Sequence, residues 1–310
     1  MLGEVSQCRE LDSSDVFAAA SVGNVKFTAA PAGELAYFLL SVSALLRVAT
    51  TEYLLRAGQD LGPELRRLQI LERMRDPLTV RRLQRLGVAA GWRCLEVGAG
   101  AGSIARWLSH AVGATGQVVA IDINTRLMHS VVEPNIEVRT LDLLGTEWDL
   151  AGFDLVHARA LVHHLPDRQE RAVARLISAL RPGGWLLLEE PHVTRAAQFQ
   201  PGPWGQLLAA LAQLPQADFA WAPAMPALLA ESLIETGTES DMDVGTAASE
   251  VAEFGRLSLK ALQAPLLATG AVDTDLLAVA EDQLNDSTQD WLSGMEWIAA
   301  WGRTPLADRP

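Results

Sequence analysis

From Trp92 to Pro191 short apolar runs alternate with helical stretches, the pattern of a parallel sheet whose strands are joined by crossover helices. Strands are expected at Arg93–Val97, Gln117–Asp122, Ile136–Asp142, Phe153–His157 and Trp185–Glu189. Helices are expected between them at Ser103–Val112, Thr125–Val132 and Arg168–Leu180, with a loop over Asp142–Trp148. Strands this apolar need cover on both faces. The fold class that follows is α/β, with a doubly wound, mostly parallel sheet.

The flanks have a different texture. The first thirty residues are poorly patterned and read as loosely attached. Gly33–Gly58 has helical spacing. Glu64–Leu86 reads as one or two helices interrupted at Pro77, with Asp76-Pro77 marking a helix start. After Pro191, Val193–Pro226 carries Pro201, Pro203, Pro215, Pro223 and Pro226 around one short helix at Leu207–Leu214, an insertion of lid type. Met225–Thr236, Ser249–Leu267 and Thr274–Leu284 read as helices, with Ser249 as an N-cap. Met295–Trp301 reads as a final strand. The domain division expected is a helical extension or cap over residues 1–69 and one catalytic domain over 70–310, with its lid at about 193–226.

Composition narrows the partners. The chain has 310 residues and a net charge of -13, which disfavours nucleic acid. The charge is uneven: from Glu231 onward there are 15 acids and 4 bases, whereas Arg66–Arg93 holds eight arginines with Glu72 and Asp76 as its only acids. Such an arginine run is expected to be a solvated helix face. Two cysteines, Cys8 and Cys94, cannot build a disulfide framework or a cysteine zinc site, which suits a cytoplasmic setting. The apolar stretch Ala36–Leu46 is too short to span a bilayer, which takes about 20 residues, and it lies too far in for a signal peptide. No membrane partner is expected. That stretch reads as a buried or inter-subunit helix, and a homodimer is the expected assembly.

The strongest local signal is Leu95-Glu96-Val97-Gly98-Ala99-Gly100-Ala101-Gly102-Ser103, a strand running through alternating glycines into a helix. Glycine allows positive φ and close approach of a ligand, and the helix start offers free N–H groups. The nicotinamide-cofactor pattern G-x-G-x-x-G/A uses the same turn, but Ser103 holds its third position. Asp122 ends the next strand, 20 residues after Gly102, where an acid can bind ribose hydroxyls. Asp142 ends the third strand and can accept from an adenine amine. A single Asp at a strand end reads as a turn or cap. Three acids in register after successive strands read as a nucleoside site.

Together LEVGAGAGS, VVAIDIN, VRTLDLL, FDLVHARALVHHLPD and LRPGGWLLLEE resemble the class I S-adenosylmethionine-dependent methyltransferases over about Trp92–Pro191. The resemblance is weaker over Glu64–Gly91 and after Pro191. It implies a Rossmann-like, mostly parallel seven-stranded sheet, S-adenosylmethionine as cofactor and S-adenosylhomocysteine as product. It places Glu96, Gly98, Ala99, Gly100, Gly102 and Ser103 at the methionine end, Asp122 and Ile123 at the ribose, and Asp142 and Leu143 at the adenine. Ala158 and Arg159, at the end of strand four, are also expected to bind the cofactor. The Arg181-Pro182-Gly183-Gly184 turn matches the family's lead-in to strand five.

The segment after strand four, which in the family faces the transferred methyl, reads His157-Ala158-Arg159-Ala160-Leu161-Val162-His163-His164. It lacks the Asn-Pro-Pro-aromatic signature of amino-directed DNA methyltransferases. Glu189-Glu190 follow strand five and so are not the paired-Glu loop of arginine methyltransferases. A small-molecule acceptor is expected. His163 and His164 are the catalytic candidates, because a neutral imidazole can take a proton from a hydroxyl during transfer; the alternative is that both merely pack at a helix start. No metal is expected. Tyr37, Phe38 and Tyr53, with Phe199, Trp204, Phe219 and Trp221 of the insertion, are candidate walls for a flat or hydrophobic substrate. The expected function is methyl transfer to such a metabolite in natural-product biosynthesis, with O-transfer slightly favoured over C- or N-transfer. Two alternatives stand beside it: a cofactor-binding, cyclase-like protein without transfer, and a nicotinamide-dependent oxidoreductase.

Overall fold

The computed structural model describes residues 61–288 and 292–306. The expected helix at Gly33–Gly58, the apolar stretch Ala36–Leu46, and the wall residues Tyr37, Phe38 and Tyr53 lie outside them.

The described residues open with helix α1 (Gly62–Arg85). Then follow β1 (Arg93–Val97), α2 (Ser103–Val112), β2 (Gln117–Asp122), β3 (Ile136–Thr140), β4 (Phe153–Arg159), α3 (Gln169–Ser178) and β5 (Leu180–His192). The remainder is α4 (Thr194–Phe199), α5 (Pro203–Leu211), α6 (Met225–Ala230), β6 (Ile234–Gly245), α7 (Glu250–Ala268), α8 (Thr274–Asn285) and β7 (Leu292–Arg303). The strands form one seven-stranded sheet in the order β3-β2-β1-β4-β5-β7-β6. β1 to β5 are parallel to one another, and β7 runs antiparallel to both β5 and β6. The order reverses between β1 and β4, and ligands bind outside the carboxyl edge at such a switch point.

The sheet is covered on both faces, as its apolar strands require. Leu95, Val119, Val156 and Leu186 pack against Val173 and Leu176 of α3 and Leu229 of α6. The alternate residues Cys94, Val118, Leu155 and Leu187 pack against Ile104 and Leu108 of α2 and Leu83 of α1. A third apolar cluster joins the insertion to α7 and α8.

Several elements depart from expectation. α1 is one continuous helix across residues 69–70 with Pro77 inside it, so Asp76-Pro77 is not a helix start. The proline removes one backbone bond, and burial of Ile70, Leu71 and Leu83 on either side carries the helix through. Residues 125–132 supply only a 3-10 turn at Thr125–Met128. β3 stops at Thr140, which puts Asp142 beyond the strand. The insertion is more regular than expected, because apolar faces on α4, α5 and α6 each find cover. α6 ends at Ala230, and residues 234–236, expected as helix, begin strand β6. Ser249 precedes α7 as expected, but its hydroxyl donates to the Thr246 carbonyl and does not cap the helix.

Candidate active site

Gly98, Gly100 and Gly102 all have positive φ, at 71°, 58° and 85°. At Gly102 a side chain is also excluded by space, since a Cβ would lie 2.7 Å from Val131 Cγ2. The loop is tied to the next strand edge: Gly98 N–H and Ala99 N–H donate to the Ile121 carbonyl at 2.9 and 3.1 Å. Gly100 N–H donates to Asp122 Oδ2 at 3.1 Å, and Asn124 N–H to Oδ1 at 2.9 Å. Burial pushes the Asp122 carboxyl up despite these bonds. Ile123 beside it is 40% exposed, and Asp142 is exposed while Leu143 is buried. The carboxyl edge thus offers a glycine loop, two carboxylates with acceptor capacity and an exposed apolar side chain.

Glu96 lies in a different setting from its loop neighbours. Its carboxylate is buried and accepts from His157 Nδ1 at 2.6 Å, while His157 Nε2 lies 3.2 Å from Glu189. Both acids hold the wholly buried His157 as a cation, at about 9. Glu189 in turn is held down at about 2, with His157, Arg159 and Arg82 favouring its charged form. It accepts from Arg82 and from Thr79 Oγ1 of α1. Arg159 turns to the same helix, donating to Thr79 Oγ1 at 3.0 Å and Asp76 at 2.8 Å. Ala158 is buried in the sheet beside Val97 and Leu188.

The chain leaves β4 through Ala160, whose φ of 52° is unusual for a residue with a side chain. It enters a 3-10 turn at Val162–His164. Glu190, wholly buried, accepts from the N–H groups of Leu161 and Val162 at 3.0 and 2.7 Å and of His163 at 3.3 Å. The same carboxylate lies 2.7 Å from His163 Nδ1. His164 stacks at 3.8 Å from His163. Its Nδ1 is buried with no hydrogen-bond partner among the described residues. Desolvation, with His163 and Arg67 nearby, pushes its imidazole well below 6.5.

The insertion closes over this turn. Asp218 N–H donates to the His163 carbonyl at 2.7 Å, and the Phe219 ring lies 4.9 Å from the His163 ring. Trp221 packs partly buried on the core under the turn. Trp204 lies elsewhere, in the insertion's own cluster, with its indole N–H spent on the Ser293 carbonyl. Phe199 is exposed under Arg195. Among the described residues no cluster of His, Cys, Asp or Glu is arranged to hold a metal ion, and no helix is long and apolar enough to cross a membrane.

Glu189, Glu190, Thr79 and Arg82 were not among the expected site residues. The one sequence signal for the two acids was their position at the end of an apolar strand.

Known proteins bear on this arrangement. The family model described as "Methyltransferase domain" matches residues 59–220. Methyltransferase str2 of Strobilurus tenacellus is 33% identical over 101 residues, 32% of this chain and 35% of that one. The ubiquinone/menaquinone biosynthesis C-methyltransferase UbiE of Pseudomonas fluorescens is 33% identical over 112 residues, 34% of this chain and 43% of that one. The chain therefore spans about two-fifths of the length of the curated relatives it matches. A Haemonchus contortus phosphoethanolamine N-methyltransferase 2, solved with S-adenosylhomocysteine, aligns at TM-score 0.46 and 18% identity over 78% of this chain and 52% of its own. With a family model matched over more than half of its length, on a sheet of this order, the chain belongs to the methyltransferase-domain family, the class I S-adenosylmethionine-dependent methyltransferases.

Proposed function

We propose that this chain methylates a hydroxyl of a small, hydrophobic or aromatic metabolite, with His163 as the base. The observation that carries this reading is the His163–Glu190 pair beside the cofactor loop. When bound, S-adenosylmethionine would supply a sulfonium-activated methyl group for the acceptor oxygen, with S-adenosylhomocysteine as the leaving product. The glycine loop and Asp122 hold the nucleoside and its tail, with Ile123, Asp142 and Leu143 at the base. Glu190 accepts the Nδ1–H of His163, so the lone pair stands on Nε2, ready for the acceptor's proton. Phe219 and the segment around it keep water from the imidazole. His164, neutral and next to His163, supports the reading as a hydrogen-bonding group for the acceptor and not as the base.

A second reading, C-transfer, has support in relatives such as UbiE that are named as C-methyltransferases. A base that deprotonates a phenol also activates the neighbouring ring carbon. A panel of phenols and quinols with labelled cofactor, read by mass spectrometry, separates O- from C-methyl products. His163→Ala is expected to lower kcat by about 10²–10⁴-fold while S-adenosylhomocysteine still binds. An unchanged kcat excludes the base. The assembly we propose is a homodimer, which light scattering tests directly.

A further inference from the structure

We propose that Glu72 of α1, and not Glu96, receives the ammonium group at the methionine end of the cofactor. The inference rests on the cofactor reading above and concerns which side chain meets the tail. Glu96 is the acid that the resemblance puts there, but its carboxylate is buried at 4% exposure and held at 2.6 Å by His157. Glu72 reaches the same loop from the other side. It lines a groove of about 630 Å³ with Gln69, Arg73, Asp76, Pro77 and Val80. Its carboxyl faces Ser103, the first residue of α2, which favours the charged form. One turn earlier, Leu68 roofs the loop: a Cβ on Gly100 would lie 3.8 Å from its Cδ1.

Charge accounting singles out the same residue. α1 carries three acids. Glu64 is paired with Arg67 at 2.7 Å and Asp76 with Arg159 at 2.8 Å. Glu72 has no arginine in ion-pair contact among the described residues. Burial and the neighbouring Asp76 push its carboxyl up, an environment that a cation would relieve. The methionine tail carries one charge of each sign. Glu72 matches the ammonium.

Calorimetry on the full chain with S-adenosylhomocysteine and with 5′-methylthioadenosine tests this. The second compound keeps the nucleoside and the sulfur but has neither tail charge. Glu72→Gln keeps an acceptor oxygen for Ser103. It is expected to weaken S-adenosylhomocysteine by about tenfold or more, and 5′-methylthioadenosine by less than about twofold. Glu72→Ala should give the same split, whereas Glu96→Gln should lower the melting temperature and affect both ligands alike. Unchanged S-adenosylhomocysteine affinity in both Glu72 variants, or an equal loss of both ligands, overturns the proposal. If the wild-type chain binds neither compound, the cofactor reading fails and takes the proposal with it.

Discussion

At the residue scale, two adjacent acids at the end of β5 divide the labour of the site. Side chains alternate across a strand, so Glu189 and Glu190 leave the sheet on opposite faces. Glu189 meets His157, Arg82 and Thr79 on the α1 side, while Glu190 holds the turn that carries His163 on the α3 side. The buried imidazolium of His157 gives stability a definite pH dependence. His157 is held at about 9, above its ordinary 6.5, so its contribution is complete below about 6.5 and is lost as pH rises through 9. Glu189 is held at about 2, below 4.5, so its contribution is complete above about 4.5 and is lost as pH falls through 2. His157→Leu leaves two buried carboxylates short of a partner and is expected to cost about 3–5 kcal/mol at pH 6. Urea melts of both proteins at pH 6 and pH 10 check this. The gap should narrow at pH 10, and a gap that stays constant would mean that His157 is neutral throughout. Glu190→Gln keeps an acceptor oxygen for the backbone N–H groups but loses the charge beside His163. Its kcat is expected to fall at least tenfold with little change in melting temperature.

At the element scale, the two charge features of the sequence are halves of one contact. The arginine run on α1 is solvated only in part: Arg75 and Arg82 are buried, while Arg66, Arg73, Arg81 and Arg85 keep about half of their side-chain surface exposed. Arg66 and Arg73 meet Glu253 and Glu250 of α7, while Arg75, Arg81, Arg82 and Arg85 meet Glu239, Asp241 and Asp243 of β6. This pairing explains why β6 was hidden and the central strands were not. β1, α2 and β2 begin and end where expected, because apolar runs and glycine turns carry their own local signal. β6 alternates in charge, with acids at 239, 241 and 243, and its period-2 pattern has meaning only opposite the arginines of α1. The glycine loop and the strand end at Asp122 were legible for the same local reason. The partners of Glu96 and His163 were not, because His157 and Glu190 lie far from them in sequence and meet them only once β4 is set between β1 and β5. Position within the contact decides which arginines matter. Arg82 is 2% exposed and touches Glu189, Glu239 and Asp241, whereas Arg85 is 54% exposed. Arg82→Ala is expected to cost about 3–5 kcal/mol, and Arg85→Ala less than about 1 kcal/mol. Chemical denaturation measures both, and equal costs would mean that the contact acts as diffuse charge and not through its buried centre.

At the scale of the whole molecule, the net charge of -13 does not describe the site. Five of the fifteen acids from residue 231 onward pair with arginines of α1, and the carboxyl edge is built from backbone N–H groups, Asp122, His163 and the loop glycines. Most of these groups belong to connections between β1 and α2, β2 and β3, and β4 and α3, segments held only by a few hydrogen bonds and side-chain contacts. A ligand that bridges them stabilises the sheet as a unit, because unfolding must release it. At 100 times its Kd such a ligand adds about 2.7 kcal/mol, which in a chain of this size corresponds to a rise in melting temperature of about 4 °C. S-adenosylhomocysteine is expected to give that rise and NADH at the same concentration to give none, since the family model matched over residues 59–220 is that of a methyltransferase domain. The size of the shift should follow the logarithm of ligand concentration. It should shrink in Asp122→Ala, which removes the acceptor for the ribose hydroxyls but leaves a carboxyl edge built by the same strands. A rise with NADH and none with S-adenosylhomocysteine would mean that the glycine loop serves a different nucleotide, and that His163 and Glu190 guard a different reaction.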